Sequence, residues 1–369
     1  MAILTIAIVN RQSSIDIEGK TIFVERILDG AALAWMAPLV PTARIFYVYL
    51  ATAFVLSIAT YIYFSTREES ERPEGISRGM IGYLFDPRVW FHKSAKQDYL
   101  FFFFNGVVYY GVVIQLLVSG HLFYEGLGVG LERLFGVRET AIFAPSALTA
   151  IVYTLAVALA IDLAVWVTHY LQHKVELLWQ FHQVHHSAEV LTPATVYRMH
   201  PVDLLFTGLV GIGLTALAFA GFSYITAANP HDITVMNVNI VIFAFYLVGY
   251  NLRHSHIWVS YPTWVSYIFI SPAQHQTHHS IDPKHFDKNF GLIFAFWDWL
   301  FGTLYVPAGY EKLEFGISRE EPNPFSSITE IYLKPFAKAW GLFAPKKVAA
   351  PLTFLVLAGG IAMLGAVYL

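Results

Sequence analysis

The sequence contains no cysteine. That excludes disulfides, thiolate metal sites, cysteine-ligated iron–sulfur clusters and nucleophilic thiols, so any metal must be held mainly by nitrogen or oxygen. Charge is also scarce. Only 13% of the 369 residues are Asp, Glu, Lys or Arg, the formal net charge is -3, and no basic block offers a surface for nucleic acid. The start, MAILTIAIVN, lacks a basic flank and does not read as a cleaved leader. What is abundant is apolar: 56% of the residues are hydrophobic, in runs long enough to cross a bilayer.

The runs define an all-α expectation, a polytopic transmembrane helical bundle of five or six spans. Residues 26–40 are apolar but broken by Asp29 and Pro38, which suits an interfacial helix. Spans are expected over 42–64, 99–119, 144–168, 203–221, 233–250 and 350–369, with Asn229-Pro230 as the turn between the fourth and fifth. The loop after the first span carries Arg67, Arg72, Arg78, Arg88, Lys93 and Lys96, which assigns it to the cytoplasm. Residues 252–347 are mixed in polarity and read as a cytoplasmic cap. Within them, 326–343 reads as a surface helix interrupted at Pro335.

Histidine is the residue that chemistry would use. His169 and His173 are one helical turn apart, and His182, His185 and His186 share a face at i, i+3 and i+4. The two sets are half a turn out of phase, so a bend must separate them. His275, His278 and His279 repeat the second spacing about ninety residues later. Each apolar run reverses the chain, and all three boxes then fall on one membrane face, His254 with them. Eight imidazoles are about twice what a closed tetrahedral zinc needs, so two metals is the simplest accounting. His200 and His254 would raise the supply to five each. Asp162, two turns before His169, is placed to accept a ring N–H, and Asp203 to do so near His200. His92, His121 and His231 stand alone near expected span ends and carry no assigned role.

At these residues the chain resembles the membrane-bound fatty acid hydroxylase and sterol desaturase superfamily. The likeness covers about 155–305. It comprises Asp162, His169 and His173; Trp179 to His186; Arg198 to Pro201; Pro272 to Ser280; and the Asn289-Phe290-Gly291 and Trp297-Asp298 to Phe301-Gly302-Thr303 pieces. It implies a catalytic core at 155–305, between an N-terminal region of two or so spans (1–154) and an interfacial helix with a last span (306–369). It also implies two iron ions, with zinc as a substitute in purified protein, on His169, His173, His182, His185, His186, His275, His278 and His279, with His254 and His200 as extra ligands and Asn289 as a further supporting group. The partners so implied are O2, a lipid substrate and a separate electron-donor protein, since no haem or flavin domain is evident in the chain. The site would face the cytoplasm from the inner membrane of a bacterium or the ER of a eukaryote.

Tyr170, Asp203 and His256 stand where many relatives carry Arg, Glu and Asn, which weakens any transfer of substrate identity. The reading is a lipid hydroxylase, with a desaturase or an ether-lipid monooxygenase as the nearest alternatives. A histidine-rich metal transporter or a structural zinc protein are the alternatives of another class. A transporter would place its ligands near the bilayer midplane, whereas these boxes begin where the apolar runs end.

Overall fold

The structure is a computed structural model that describes residues 32, 34–109, 113, 117 and 120–343. The expected span 350–369 lies outside them, as do the start of the 26–40 stretch and much of the second half of 99–119. The described chain is mostly helical. Three helices are long and apolar enough to cross a membrane: α1 (Tyr47–Ser65), α4 (Ala147–Lys174) and α6 (Pro201–Thr226). Between the first two lie α2 (Lys93–Val108) and α3 (Gly120–Phe135), and α5 (Glu176–His186) follows α4 at once.

α4 and α6 pack along each other, with α3 against α6. Tyr153 of α4 meets Phe222, and Tyr124 of α3 meets Phe219 edge-on at 4.4 Å. Small residues allow close approach: a Cβ on Gly208 would lie 2.7 Å from Leu117. α1 instead runs beside cap elements, where Ala53 and Phe64 pack with Tyr83, Leu252 and Trp258.

The return leg expected over 233–250 is reorganised. After α6 the chain makes a small hairpin, β1 (Thr234–Val235) with β2 (Val238–Asn239), around Met236 and Asn237, both at positive φ. Then comes α7 (Ile240–Leu247), eight residues and so about 12 Å, well short of a span. Non-helical backbone at such depth needs partners from neighbouring protein, and α4 provides them. Ile233 N donates to Thr154 Oγ1 (2.8 Å), and Asn239 Nδ2 donates to Thr154 O (3.1 Å). Asn239 Oδ1 caps α7 by accepting from Val241 N at 3.1 Å. Hydropathy saw one apolar run where the chain forms a hairpin tied to α4 and then a short helix.

The cap holds α8 (Pro272–His278), α9 (Phe296–Leu300) and α10 (Ile328–Gly341). Pro335 does not interrupt α10, which runs through it. α10 packs on α5, and Ile331 and Phe325 join Val184 and Phe101 in one fully buried cluster. Arg198, itself fully buried, donates to Asp98 Oδ1 at 2.7 Å and to Val184 O at 3.0 Å, tying α2 to the end of α5.

The hairpin anchor has a measurable consequence. Asn239→Ala strands Thr154 O and Val241 N, and should lower stability by about 2–4 kcal/mol, against about 1–3 kcal/mol for Thr154→Val. Thermal unfolding of the purified protein in detergent would read both, and an Asn239→Ala protein as stable as the parent would show that the hairpin is held elsewhere.

Candidate metal centre

Three short sequence devices bring the boxes together. Ser146 and Thr149 form a capping box that starts α4, which then delivers His169 and His173 one turn apart. Val175, with extended backbone (φ -98, ψ 112), ends α4 and supplies the bend, so that α5 can turn His182, His185 and His186 back toward α4. Ser271 and Gln274 cap α8 in the same way, with Pro272 at its first turn, and α8 carries His275 and His278 with His279 at its end. His254 arrives from the turn after α7.

The nine rings fall into two groups, within each of which one ligand atom per residue lies within 4.8 Å of all the others: His169, His173, His182, His186 and His278; and His185, His254, His275 and His279. In the first, His173 Nε2 and His186 Nε2 are 3.0 Å apart. In the second, His254 Nε2 lies 3.0 to 3.3 Å from Nε2 of His275, His279 and His185. The groups adjoin, with the His186 and His279 rings stacked at 4.6 Å.

The far sides of the rings decide which nitrogens can bind. His169 Nδ1 faces Phe290 O at 3.0 Å, and His278 Nδ1 faces Lys288 O at 2.6 Å. A carbonyl only accepts, so both rings must carry their proton on Nδ1, which leaves a bare lone pair on Nε2. Those Nε2 atoms, and that of His182, are buried without a hydrogen-bond partner. His182 Nδ1 lies 3.3 Å from Asp203 Oδ2, and His173 Nδ1 lies 3.8 Å from Asp287 Oδ1. His275 differs, since Arg253 donates to its Nδ1 at 2.8 Å. Burial first, and neighbouring imidazoles after it, hold His185, His186 and His279 well below the usual imidazole range. Burial also pushes His278 down to about 3. A water-poor pocket of neutral imidazoles with inward lone pairs fits a metal cation, and nothing in its donor set favours an anion.

The loop 287–303 frames this arrangement. Asp298, fully buried, accepts from Phe290 N (2.9 Å), Gly291 N (2.8 Å), Thr303 Oγ1 (2.6 Å) and Trp166 Nε1 (3.1 Å). Asp287 and Asn289 sit at positive φ, 58 and 59, which a loop keeps only when its surroundings enforce it. Gly291 admits no side chain, because a Cβ there would lie 2.5 Å from Phe294 O.

Several expected roles fall differently. Asp162 does not touch His169: its carboxylate accepts from Ile293 N (2.6 Å), Phe294 N (3.3 Å) and Trp297 Nε1 (2.9 Å), and so anchors the far end of the same loop. Asp203 serves His182 and Gln172 rather than His200. His200 stands outside both groups. Its Nδ1 caps α6 by accepting from Val202 N, and its Nε2 meets Tyr332 O at 3.2 Å, so neither nitrogen is spare. Asn289 Nδ2 donates to Gln274 O and Tyr305 O, which locks the loop to α8 without reaching a ring. His92 caps α2. Arg253 and Lys288 carried no expected role at the site, and Phe290 and Asp298 entered only as pieces of the resemblance, with the Lys288 and Phe290 carbonyls unseen because a backbone acceptor leaves no residue signature. Gly291 beside Asn289 was the one hint.

The fold and the cage define a helical membrane protein with a histidine-lined dimetal-type centre. Residues 154–303 match the fatty acid hydroxylase family, so this stretch of the chain is a fatty acid hydroxylase-type domain. It is 26% identical over 161 residues to alkylglycerol monooxygenase of Danio rerio, covering 43% of this chain and 32% of that one. It is also 26% identical over 164 residues to the ornithine lipid hydroxylase OlsE of Rhizobium tropici, covering 44% and 45%. The human alkylglycerol monooxygenase is 23% identical over 43% of this chain and 32% of its own length. The chain thus spans less than half the length of these relatives. No solved structure matches it.

Two measurements probe the centre. Asp298→Asn keeps one oxygen for Phe290 N, Thr303 Oγ1 and Trp166 Nε1 but turns an amide N–H toward Gly291 N. It should reduce stability by roughly 2–4 kcal/mol and metal content with it, read by thermal unfolding and elemental analysis. In metal-free protein the buried rings stay neutral, whereas unfolded histidines titrate near 6.5. The unfolded chain therefore binds more protons on descending through that value. Stability should be full above about pH 6.5 and fall below it, each ring contributing up to about 1.4 kcal/mol per pH unit. A stability flat from neutral pH to pH about 5 would contradict the burial of neutral imidazoles.

Proposed function

We propose that the chain is a membrane-bound hydroxylase that inserts oxygen from O2 into a C–H bond of a lipid, drawing electrons from a separate protein. The observation that carries the reading is the cage itself: nine imidazoles in groups of five and four, eight of them buried, with the Nε2 atoms of His169, His182 and His278 left unpartnered toward its interior. His169, His173, His182, His186 and His278 would hold one iron, and His185, His254, His275 and His279 the other. Two such ions would supply O2 activation and the oxidation of carbon. The protein's part is to keep the ring tautomers fixed through Phe290 O, Lys288 O and Asp203, to keep water out, and to bring one substrate carbon alongside.

A place for that carbon exists. A cavity of about 190 Å³, lined mostly by apolar side chains, includes Ala164, Val165, Leu204, Gly211 and Leu292, from the helices and loop that carry or frame the cage. Val165 is one turn before His169 on the same helix face. Leu204 follows Asp203, the partner of His182. The names of the relatives, a monooxygenase and a hydroxylase of lipids, favour oxygen insertion over desaturation, with an ether lipid as the alternative substrate. The basic loop between α1 and α2 packs onto the cap, where His256 Nε2 donates to Tyr83 O at 2.7 Å, which supports a multi-pass topology with the cage on the cytoplasmic side.

Purified protein reconstituted with iron should hold two ions per chain. Supplied with a reductant and O2, it should convert a lipid to a product heavier by one oxygen. His278→Ala should lose metal and nearly all turnover, while His200→Ala should keep its metal. A protein that binds only zinc and changes no lipid in an O2-dependent way would overturn the reading in favour of a structural or transport role. Loss of two hydrogens in place of oxygen gain would make it a desaturase.

A further inference from the structure

The cavity beside the cage is not uniformly apolar. At the end near the start of α1 it is lined by Thr42, Arg44 and Asn105, with Tyr246 alongside. Buried guanidinium groups elsewhere in the cap have strong partners, although Arg253 Nε is left without one. Arg198 pairs with Asp98 at 2.7 Å, and Arg253 donates to Leu292 O, Gly291 O and His275 Nδ1. Arg44 is the exception. It makes a weak contact to Val196 O at 3.5 Å and stands among Tyr246, Tyr250, Tyr197 and Tyr109, and among the described residues no carboxylate stands at ion-pair distance. A guanidinium has five N–H donors and stays charged, so hydrogen-bonding capacity is left over on a residue that lines the cavity. An enclosed cation is costly unless an anion or several acceptors meet it.

Two neighbours share the deficit. Thr42 Oγ1 and Asn105 Oδ1 are both buried without a hydrogen-bond partner. Asn105 donates through Nδ2 to Met199 O (2.9 Å) and Tyr197 O (3.4 Å), and those two carbonyls fix which end of its amide is left over. The position of Arg44 is fixed too, since Asn251 Nδ2 donates to its backbone carbonyl at 3.0 Å. Asn251 lies three residues before His254.

We infer that this polar end is a headgroup subsite, and that the substrate is an amphiphile with an acidic group, carboxylate or phosphate, seated on Arg44 while its chain occupies the apolar remainder of the cavity. Arg44 offers a paired N–H fork that matches either acid, the Thr42 hydroxyl donates to a further oxygen, and Asn105 Oδ1 accepts from an O–H or N–H on the same headgroup. The inference rests on the hydroxylase reading for the meaning of "substrate", but binding alone can test it.

Full-length, metal-loaded protein in detergent would be titrated at neutral pH with decanoic acid, decyl phosphate and decanol, with bound ligand counted by native mass spectrometry and metal by elemental analysis. The acid or the phosphate should bind roughly 10- to 100-fold more tightly than the alcohol, and whichever of the two prevails identifies the headgroup class. Arg44→Gln should erase that preference while decanol binding and metal content persist, and Arg44→Lys should retain part of it. Equal binding of acid, phosphate and alcohol by the parent protein, or a preference that survives in Arg44→Gln, overturns the subsite. Acid preference in a protein that oxidises no lipid would leave the subsite standing and remove the hydroxylase reading. O2-dependent oxidation of lipids with no acid preference would do the reverse.

Discussion

Nine imidazole lone pairs can converge in a buried space only if something positively charged accepts them and something rigid stops the rings from turning away. The Nε2 atoms of His169, His182 and His278 are acceptors with no donor facing them, a deficit that water cannot relieve once the rings are buried. The fold answers the second need with fixed outer contacts. The carbonyls of Phe290 and Lys288 and the carboxylate of Asp203 hold three rings by Nδ1, and helix geometry sets the spacing of the rest. The first need is met only by cations, which is why the cage, and not the helical bundle around it, defines the chemistry.

The frame is built from carboxylates that never reach the cage. Asp162 and Asp298 each end several donors from the loop 287–303, and Asn289 joins that loop to α8. The loop is therefore positioned from both sides, by α4 through Asp162 and Trp166 and by α8 through the Gln274 carbonyl that Asn289 meets. The tolerance for error is small, since Gly291 leaves no room for a methyl group and two non-glycine residues hold positive φ beside it.

Much of this was legible from residue order, and the exceptions share a cause. The eight box histidines and His254 meet as spacing and resemblance implied, because i, i+3 and i+4 offsets determine which side chains share a helix face regardless of what the helix packs against. The need for a bend between His173 and His182 was legible for the same reason, and Val175 supplies it. What depended on tertiary partners was not legible. Asp162 lies on the face of His169, but donors from a loop some 130 residues away claim its carboxylate first. His200 precedes a proline at a helix start, and the cap it forms consumes the nitrogen a metal would have used. The hydropathy of 233–250 suits a span, yet its first residues form a hairpin tied to Thr154 and only Ile240–Leu247 is α-helical, an outcome of hydrogen bonds that no apolar window registers.

The contact between Asp298 and Gly291 N reaches further than loop anchoring. Gly291 N–H and the Phe290 carbonyl belong to one peptide unit, and that carbonyl is the one on His169 Nδ1. Negative charge at Asp298 therefore pulls on one end of an amide whose other end leans on an imidazole, and the resonance of the peptide bond carries electron density from carboxylate to ring. His169 gains the basicity that a directly bonded acid would give it, while the full negative charge stays a residue's width away from the ions the cage is built to hold.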